Sequence, residues 1–247
     1  ALFTLGDKPE LKWDFALTQL EQLGFSSTHD YLISSMQKVN ETFKLFPHAN
    51  PGLMSFEEIK ELKKYSPSGG LMIETFSKNI YDKGEAHYKT QTKFIDLRIE
   101  SLENALQAMY PVTTGLLLGI TSTKDEVVDD ITNLILLIKN NMAIQEVILQ
   151  NFRAKKNTIM KNNSEITNDL FLRIIATTRI YSPSHISIQV PPNLSPDINL
   201  FLKSGINDLG GISPLTIDWV NPDHLWPNIN KLKNDILFTG QELKKRL

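Results

Sequence analysis

The sequence contains no cysteine. That excludes disulfides, thiol nucleophiles and any iron–sulfur cluster held by the chain's own thiolates. Neither sign of charge dominates: 26 Lys and Arg against 28 Asp and Glu give a formal net charge of −2. Such a balance leaves no electrostatic footprint for nucleic acid, and the basic residues are scattered apart from a short terminal KKRL. No apolar run reaches the roughly 18–20 residues of a membrane span. The longest, around residues 131–138, is interrupted by polar positions. A signal-like N-terminus is also missing, since charge appears by Asp7 and no cleavage pattern follows. There is no metal-ligand spacing, phosphate-binding loop or GxSxG elbow. These absences point to a cytoplasmic protein that handles a small molecule, with neither nucleic acid nor membrane as partner.

What is present is a regular alternation of strand-like and helical runs. The 247 residues, 41% hydrophobic, suit one α/β barrel or two small domains. Residues 2–5 read as a strand. A helix follows, with Asp7 as N-cap, Pro9 in the first turn, Glu10 at N3 and Gly24 at its end. A helix at about 30–40 leads to a short strand at 43–46 and the turn PHANPG. Ser55 with Glu58 makes a capping-box pattern for a helix to about residue 65. Residues 70–76 read as a strand, 77–91 as a polar loop containing GEAHY, and the next helix runs to about 109. After a strand at 112–120, Thr123 and Glu126 cap a helix whose apolar positions 127, 128, 131, 134, 135 and 138 share one face.

The segment IQEVILQNFRAK follows, its strand at 144–150 apolar and β-branched as a strand buried on both faces should be. The remainder reads as a helix near 165–180, a strand at 185–190, a short helix opened by Ser195-Pro196 and closed by Gly205, a strand at 206–209 and a terminal helix at 229–245. Seven strands each followed by a helix predict a parallel sheet with helices outside, one unit short of a (β/α)₈ barrel. The expectation is a single α/β barrel domain over residues 1–247 whose first strand–helix unit is missing.

Polar residues gather where the strands end, and in a parallel barrel those ends share one mouth. Gly6-Asp7 is a turn suited to a ligand amine or anion, or Asp7 merely caps a helix. Glu74 sits within a strand, where a carboxylate needs a cation or hydroxyls; a ribose diol and an internal salt bridge both satisfy it. Gly115 and Gly119 lie within the VTTGLLLGI strand that includes Thr114, and mark close approach of a ligand or tight barrel packing. His48, with Asn50 in the same turn, admits a general base, a ligand or a turn role, and His87-Tyr88 is equally open. Asn151 and Arg153 end the 144–150 strand. Arg153 suits a carboxylate or polar heterocycle, or a surface salt bridge. Asn193, after Pro191-Pro192, suits an amide or uracil edge, or an Asx turn.

The segments LFTLGDKPE, LFPHANPG, SGGLMIETFS, PVTTGLLLGI, IQEVILQNFRAK, QVPPNL and INDLGGISPLT, then VNPDHLWP, occur in this order. Together they resemble the CofG family of FO synthase, 7,8-didemethyl-8-hydroxy-5-deazariboflavin synthase, within the radical S-adenosylmethionine (SAM) enzymes. The resemblance runs nearly end to end. It implies a 4Fe–4S cluster on a CxxxCxxC loop after the first strand, which cleaves SAM to a 5′-deoxyadenosyl radical. It further implies a lyase and cyclase reaction, in which 5-amino-5-(4-hydroxybenzyl)-6-(D-ribitylimino)uracil closes to FO with loss of ammonia. A CofH subunit or domain would supply that substrate.

By the same resemblance Gly6 and Asp7 hold the SAM amino group, Glu74 meets the SAM ribose, and Thr114, Gly115 and Gly119 lie beside the adenine and methionyl parts. His48, Asn50, Asn151, Arg153 and Asn193 are left for the substrate. Two departures stand out. CxxxCxxC is absent, and Gly119-Ile120-Thr121-Ser122 replaces the family's frequent GIGE. The missing strand and the missing cysteines fall in one place, so the expectation is a chain truncated before Ala1 and inactive toward SAM by itself. The alternatives are a radical SAM enzyme of menaquinone or futalosine type, a non-catalytic ribityl-uracil or nucleoside-binding barrel, and a metal-free lyase using His48 or Glu74.

Overall fold

A computed structural model describes every residue except Ser122, Pro196, Pro214 and 246–247. Pro196 as a helix opener, Ser122 in the departure from GIGE, Pro214 of GGISPLT and the end of KKRL therefore lie outside the described residues. The strands are β1 (Leu2–Thr4), β2 (His48–Asn50), β3 (Ser68–Gly70), β4 (Val112–Leu118), β5 (Ile144–Asn151) and β6 (Ser187–Gln189). They form one six-stranded sheet in the order β1-β2-β3-β4-β5-β6. The pairings β1–β2, β2–β3, β3–β4 and β5–β6 are parallel. Between them run the helices α1 (Asp14–Gln22), α2 (Thr28–Phe43), α3 (Phe56–Leu62), α4 (Ile95–Gln107), α5 (Lys124–Asn140) and α6 (Asn168–Tyr181). Helices α7 (Ile198–Ser204) and α8 (Ile229–Leu237) follow β6. Among the described residues no helix is long and apolar enough to cross a membrane.

Packing divides the chain into two compact units, residues 1–114 with 140–145 and residues 115–139 with 146–247. In the first unit the capping box at Ser55 and Glu58 is formed in both directions and starts α3. Several elements differ from their sequence reading. Asp7 caps no helix: residues 9–11 make a single 3₁₀ turn, and α1 starts only at Asp14. Glu10 instead accepts from the backbone and hydroxyl of Thr28, at the start of α2. The strand expected at 43–46 is displaced to His48–Asn50, because α2 continues to Phe43 and ends on Lys44 in the left-handed region. The strand expected at 70–76 keeps its ladder over Ser68–Gly70, with a single bridge at Glu74 beyond it. Glu74, at φ 69°, turns the chain out of extended geometry.

In the second unit Thr123 and Glu126 cap each other's backbone at the entry to α5. That helix buries Val127, Ile131, Leu134, Ile135 and Ile138, whereas Val128 faces solvent. Strand β5 buries Ile144, Val147 and Leu149 completely. The seventh strand, expected at 206–209, is reduced to one bridge between Gln189 and Asp208. The Asn207 side chain accepts from Ile188 N at 2.8 Å, so a side chain replaces a backbone rung there. Arg179 fastens the same corner, donating to the carbonyls of Gly205 and Ile186 and to Asn207 Oδ1. Asp197, and not Ser195, is the N-cap of α7. The terminal helix stops at Leu237, short of residue 245.

Candidate functional site

Two polar clusters lie at the carboxyl ends of strands, one in each unit. In the first unit the turn after β1 carries Asp7, whose Oδ2 accepts from Leu53 N at 3.1 Å. Its Oδ1 is buried without a partner. Gly52 of PHANPG makes this possible: a Cβ there would lie 2.2 Å from Asp7 Cγ, and φ is +92°. Burial pushes the Asp7 carboxyl up, against the Leu53 amide and the Arg98 charge that pull it down. Asn50, at the end of β2, also keeps a buried Oδ1 without a partner, as does Thr114 Oγ1 in β4. His48 Nδ1 lies 2.8 Å from Ser68 Oγ, which ties that ring to β3.

Glu74 is held by the loop that follows it. Lys93 forms an ion pair with Oε1. His87 Nε2 lies 2.8 Å from Oε2, near enough for an ion pair but without the alignment of a hydrogen bond. Burial acts to raise the Glu74 carboxyl, but the close His87 ring and the Lys93 charge win and hold it at about 2. Arg98 is 4% exposed and donates to the carbonyls of Met72 and Thr92. Burial lowers that guanidinium, opposed by the charges of Glu74 and Asp7. The internal salt bridge, one of the two sequence readings of Glu74, is thus the geometry observed. Lys93 and Arg98 went unnoticed in the sequence, because a lone basic residue in a polar loop or on a helix face carries no motif.

In the second unit Asn151 Nδ2 donates to the Leu194 carbonyl at 3.2 Å. Arg153 Nη2 donates to that same oxygen at 2.6 Å, and Nη1 meets Glu165 Oε2 at 2.5 Å. Asn193, next to Leu194, donates to Asp218 Oδ2 at 2.9 Å and more weakly to the His224 carbonyl at 3.4 Å. Asp218 in turn accepts from Asn221 Nδ2 and Val220 N. The Asn193 amide is thus held by Asp218 and by the His224 carbonyl of the VNPDH stretch. Both supporting carboxylates sit below their ordinary range. Burial acts upward on each, but the Arg153 hydrogen bond lowers Glu165, and the Asn221 and Asn193 amides lower Asp218. Gly115 faces protein: a Cβ would lie 2.0 Å from the Ile148 carbonyl oxygen, the tight strand packing admitted above. At Gly119, φ +95°, the nearest group is Ile166.

The fit to the implied cofactors is split. Buried, unpartnered acceptors on Asp7, Asn50 and Thr114 suit the ammonium and hydroxyl donors of SAM. A 4Fe–4S cluster does not fit, because the chain has no thiolate. Among the described residues no group of three or more His, Cys, Asp or Glu is placed to hold a metal ion.

No family model matches the chain. In three dimensions it resembles methylornithine synthase (PylB) with a TM-score of 0.67 at 18% identity, over 88% of this chain and 64% of that one. It resembles the [FeFe]-hydrogenase maturase HydG with a TM-score of 0.60 at 18% identity, over 73% and 42%. Likeness at that identity speaks for the fold alone, a parallel α/β arrangement of strands and helices shared with those two enzymes. In sequence it is 38% identical to the 7,8-didemethyl-8-hydroxy-5-deazariboflavin synthase of Methanopyrus kandleri, over all of this chain and 74% of the relative. The synthase of the same name from Methanocaldococcus jannaschii is 39% identical, with 68% of it covered. The FO synthase of Nocardia farcinica is also 39% identical, but the chain spans only 29% of its length. The chain belongs to the 7,8-didemethyl-8-hydroxy-5-deazariboflavin synthase (FO synthase) family.

Proposed function

We propose that the chain serves radical SAM synthesis of the deazaflavin FO from 5-amino-5-(4-hydroxybenzyl)-6-(D-ribitylimino)uracil, a carbon–nitrogen lyase and cyclase reaction that releases ammonia. Whole-chain identity of 38% to a synthase of that name carries the reading. SAM supplies the hydrogen-abstracting radical when it is cleaved. The residues of this chain bind and orient. Gly6 and Asp7 present a backbone turn and a free carboxylate oxygen to the SAM ammonium. Asn50 Oδ1 and Thr114 Oγ1 add buried acceptors. Glu74, locked as a carboxylate by Lys93 and His87, stays ionised at neutral pH and accepts from ribose hydroxyls. Asn151, Arg153 and Asn193 hold the uracil-bearing substrate. A CofH subunit or domain supplies it.

The cluster ligands are not among these 247 residues, so the chain by itself is expected to be inactive toward SAM. The test is FO formation from the hydroxybenzyl-uracil adduct by a protein that joins this chain to a cluster-bearing CxxxCxxC segment. Fluorescent FO supports the reading; SAM cleavage with another product sinks it.

A further inference from the structure

The second unit contains a set of unsatisfied polar atoms more specific than its fold requires. Asn151 is 4% exposed, and its Nδ2 is committed to the Leu194 carbonyl. Asn193 commits its Nδ2 to the Asp218 carboxylate and the His224 carbonyl. All of these partners are acceptors only, so the amide orientations are forced and each Oδ1 is a true acceptor. Both Oδ1 atoms are buried and unpartnered. Arg153 spends Nη1 on Glu165 and Nη2 on Leu194 O, and its buried Nε–H is left unpartnered as well. Buried polar atoms are rarely left unpaired, because each costs its full desolvation. Here three are left, and they are two acceptors and one donor. Asn151, Arg153 and Asn193 are linked through Leu194, which accepts from the first two and adjoins the third.

We propose that Asn151, Arg153 and Asn193 bind the –NH–CO–NH– edge of a cyclic ureide. The two asparagine carbonyls accept from the flanking ring N–H groups, and Arg153 Nε donates to the ring carbonyl between them. The ligand edge's two donors and one acceptor match, in number and kind, the protein's two free acceptors and one free donor. A carboxylate, a phosphate or an adenine edge does not match it, because none offers two N–H donors flanking a carbonyl. Glu165 and Asp218 are positioning residues: each holds its partner by the atoms the ligand does not use. The assignment rests on the proposed function, where it names the part of the substrate that this cluster reads.

The test is calorimetric binding of two probes to the chain, 5-amino-6-(D-ribitylamino)uracil and its N3-methyl derivative. Methylation removes one ring N–H and leaves one asparagine carbonyl without a partner. The expected result is roughly tenfold or more weaker binding of the methylated probe. In Asn151→Ala or Asn193→Ala that preference collapses toward one, with an unchanged thermal melt. Equal binding of both probes by the unmodified chain overturns the inference, and so does binding of neither. A preference that survives in both variants overturns it too. Because the unmodified chain alone gives the first answer, a variant that fails to fold does not rescue the idea. FO formation without probe discrimination would reject this assignment and leave the function standing. Discrimination without FO formation would do the reverse.

Discussion

At the scale of single residues, Glu74 shows how a carboxylate is kept charged inside a protein. Its desolvation cost is offset by two neighbours, His87 and Lys93, and the outcome is a pKa of about 2 against an ordinary 4.5. A carboxyl depressed in the folded state contributes stability that is fully present above its unfolded pKa, and that stability is lost as pH falls through the folded pKa. Glu74 should therefore add about 3 kcal/mol at neutral pH, lost between roughly pH 4.5 and 2. Replacing it with Gln should flatten the acid limb of the unfolding free energy in that window by up to one proton, read by urea titration at several pH values. An unaltered slope would show that the pair contributes nothing net. The sequence raised the possibility of an internal salt bridge at Glu74 but did not name its partners, which lie 13 and 19 positions away.

At the scale of elements, the strand pattern explains both what was legible and what was not. Long periodic runs were readable: α5 and β5 fall where the spacing of apolar residues put them. Strands of three residues were not, because three positions carry too little periodicity to separate His48–Asn50 from the exposed apolar stretch just before it. Strand β4 offers a test at this scale. The Gly115 backbone lies so close to Ile148 that an added Cβ meets its carbonyl oxygen at 2.0 Å. Gly115→Ala should cost about 1–3 kcal/mol through overpacking, seen as a lower denaturation midpoint. A variant of full stability that had lost only nucleoside binding would instead favour a ligand-contacting glycine.

At the scale of the whole molecule, a parallel strand–helix alternation meets a chain with no thiolate. The two facts assign different tasks to different residues. The chain offers buried, unpartnered polar atoms in each unit, and it has no cysteine to hold a cluster. Purified by itself, reconstituted with iron and sulfide and reduced, it should form no 5′-deoxyadenosine from SAM above the protein-free background. Sustained turnover, followed by chromatography, would show that something other than cysteine holds the cluster.

Composition and periodicity alone determined the fold class, the chief strands and helices, the absence of a cluster ligand and the polar positions at strand ends. They did so because those properties are local, or are sums over the chain. Only the tertiary structure decided which polar atoms are already spent and which are free. Asp7 Oδ2 is taken by Leu53 N, Glu74 is engaged by His87 and Lys93, and Asn193 is oriented by Asp218. Hydrogen bonds between distant residues depend on where the backbone returns, and no local pattern encodes that.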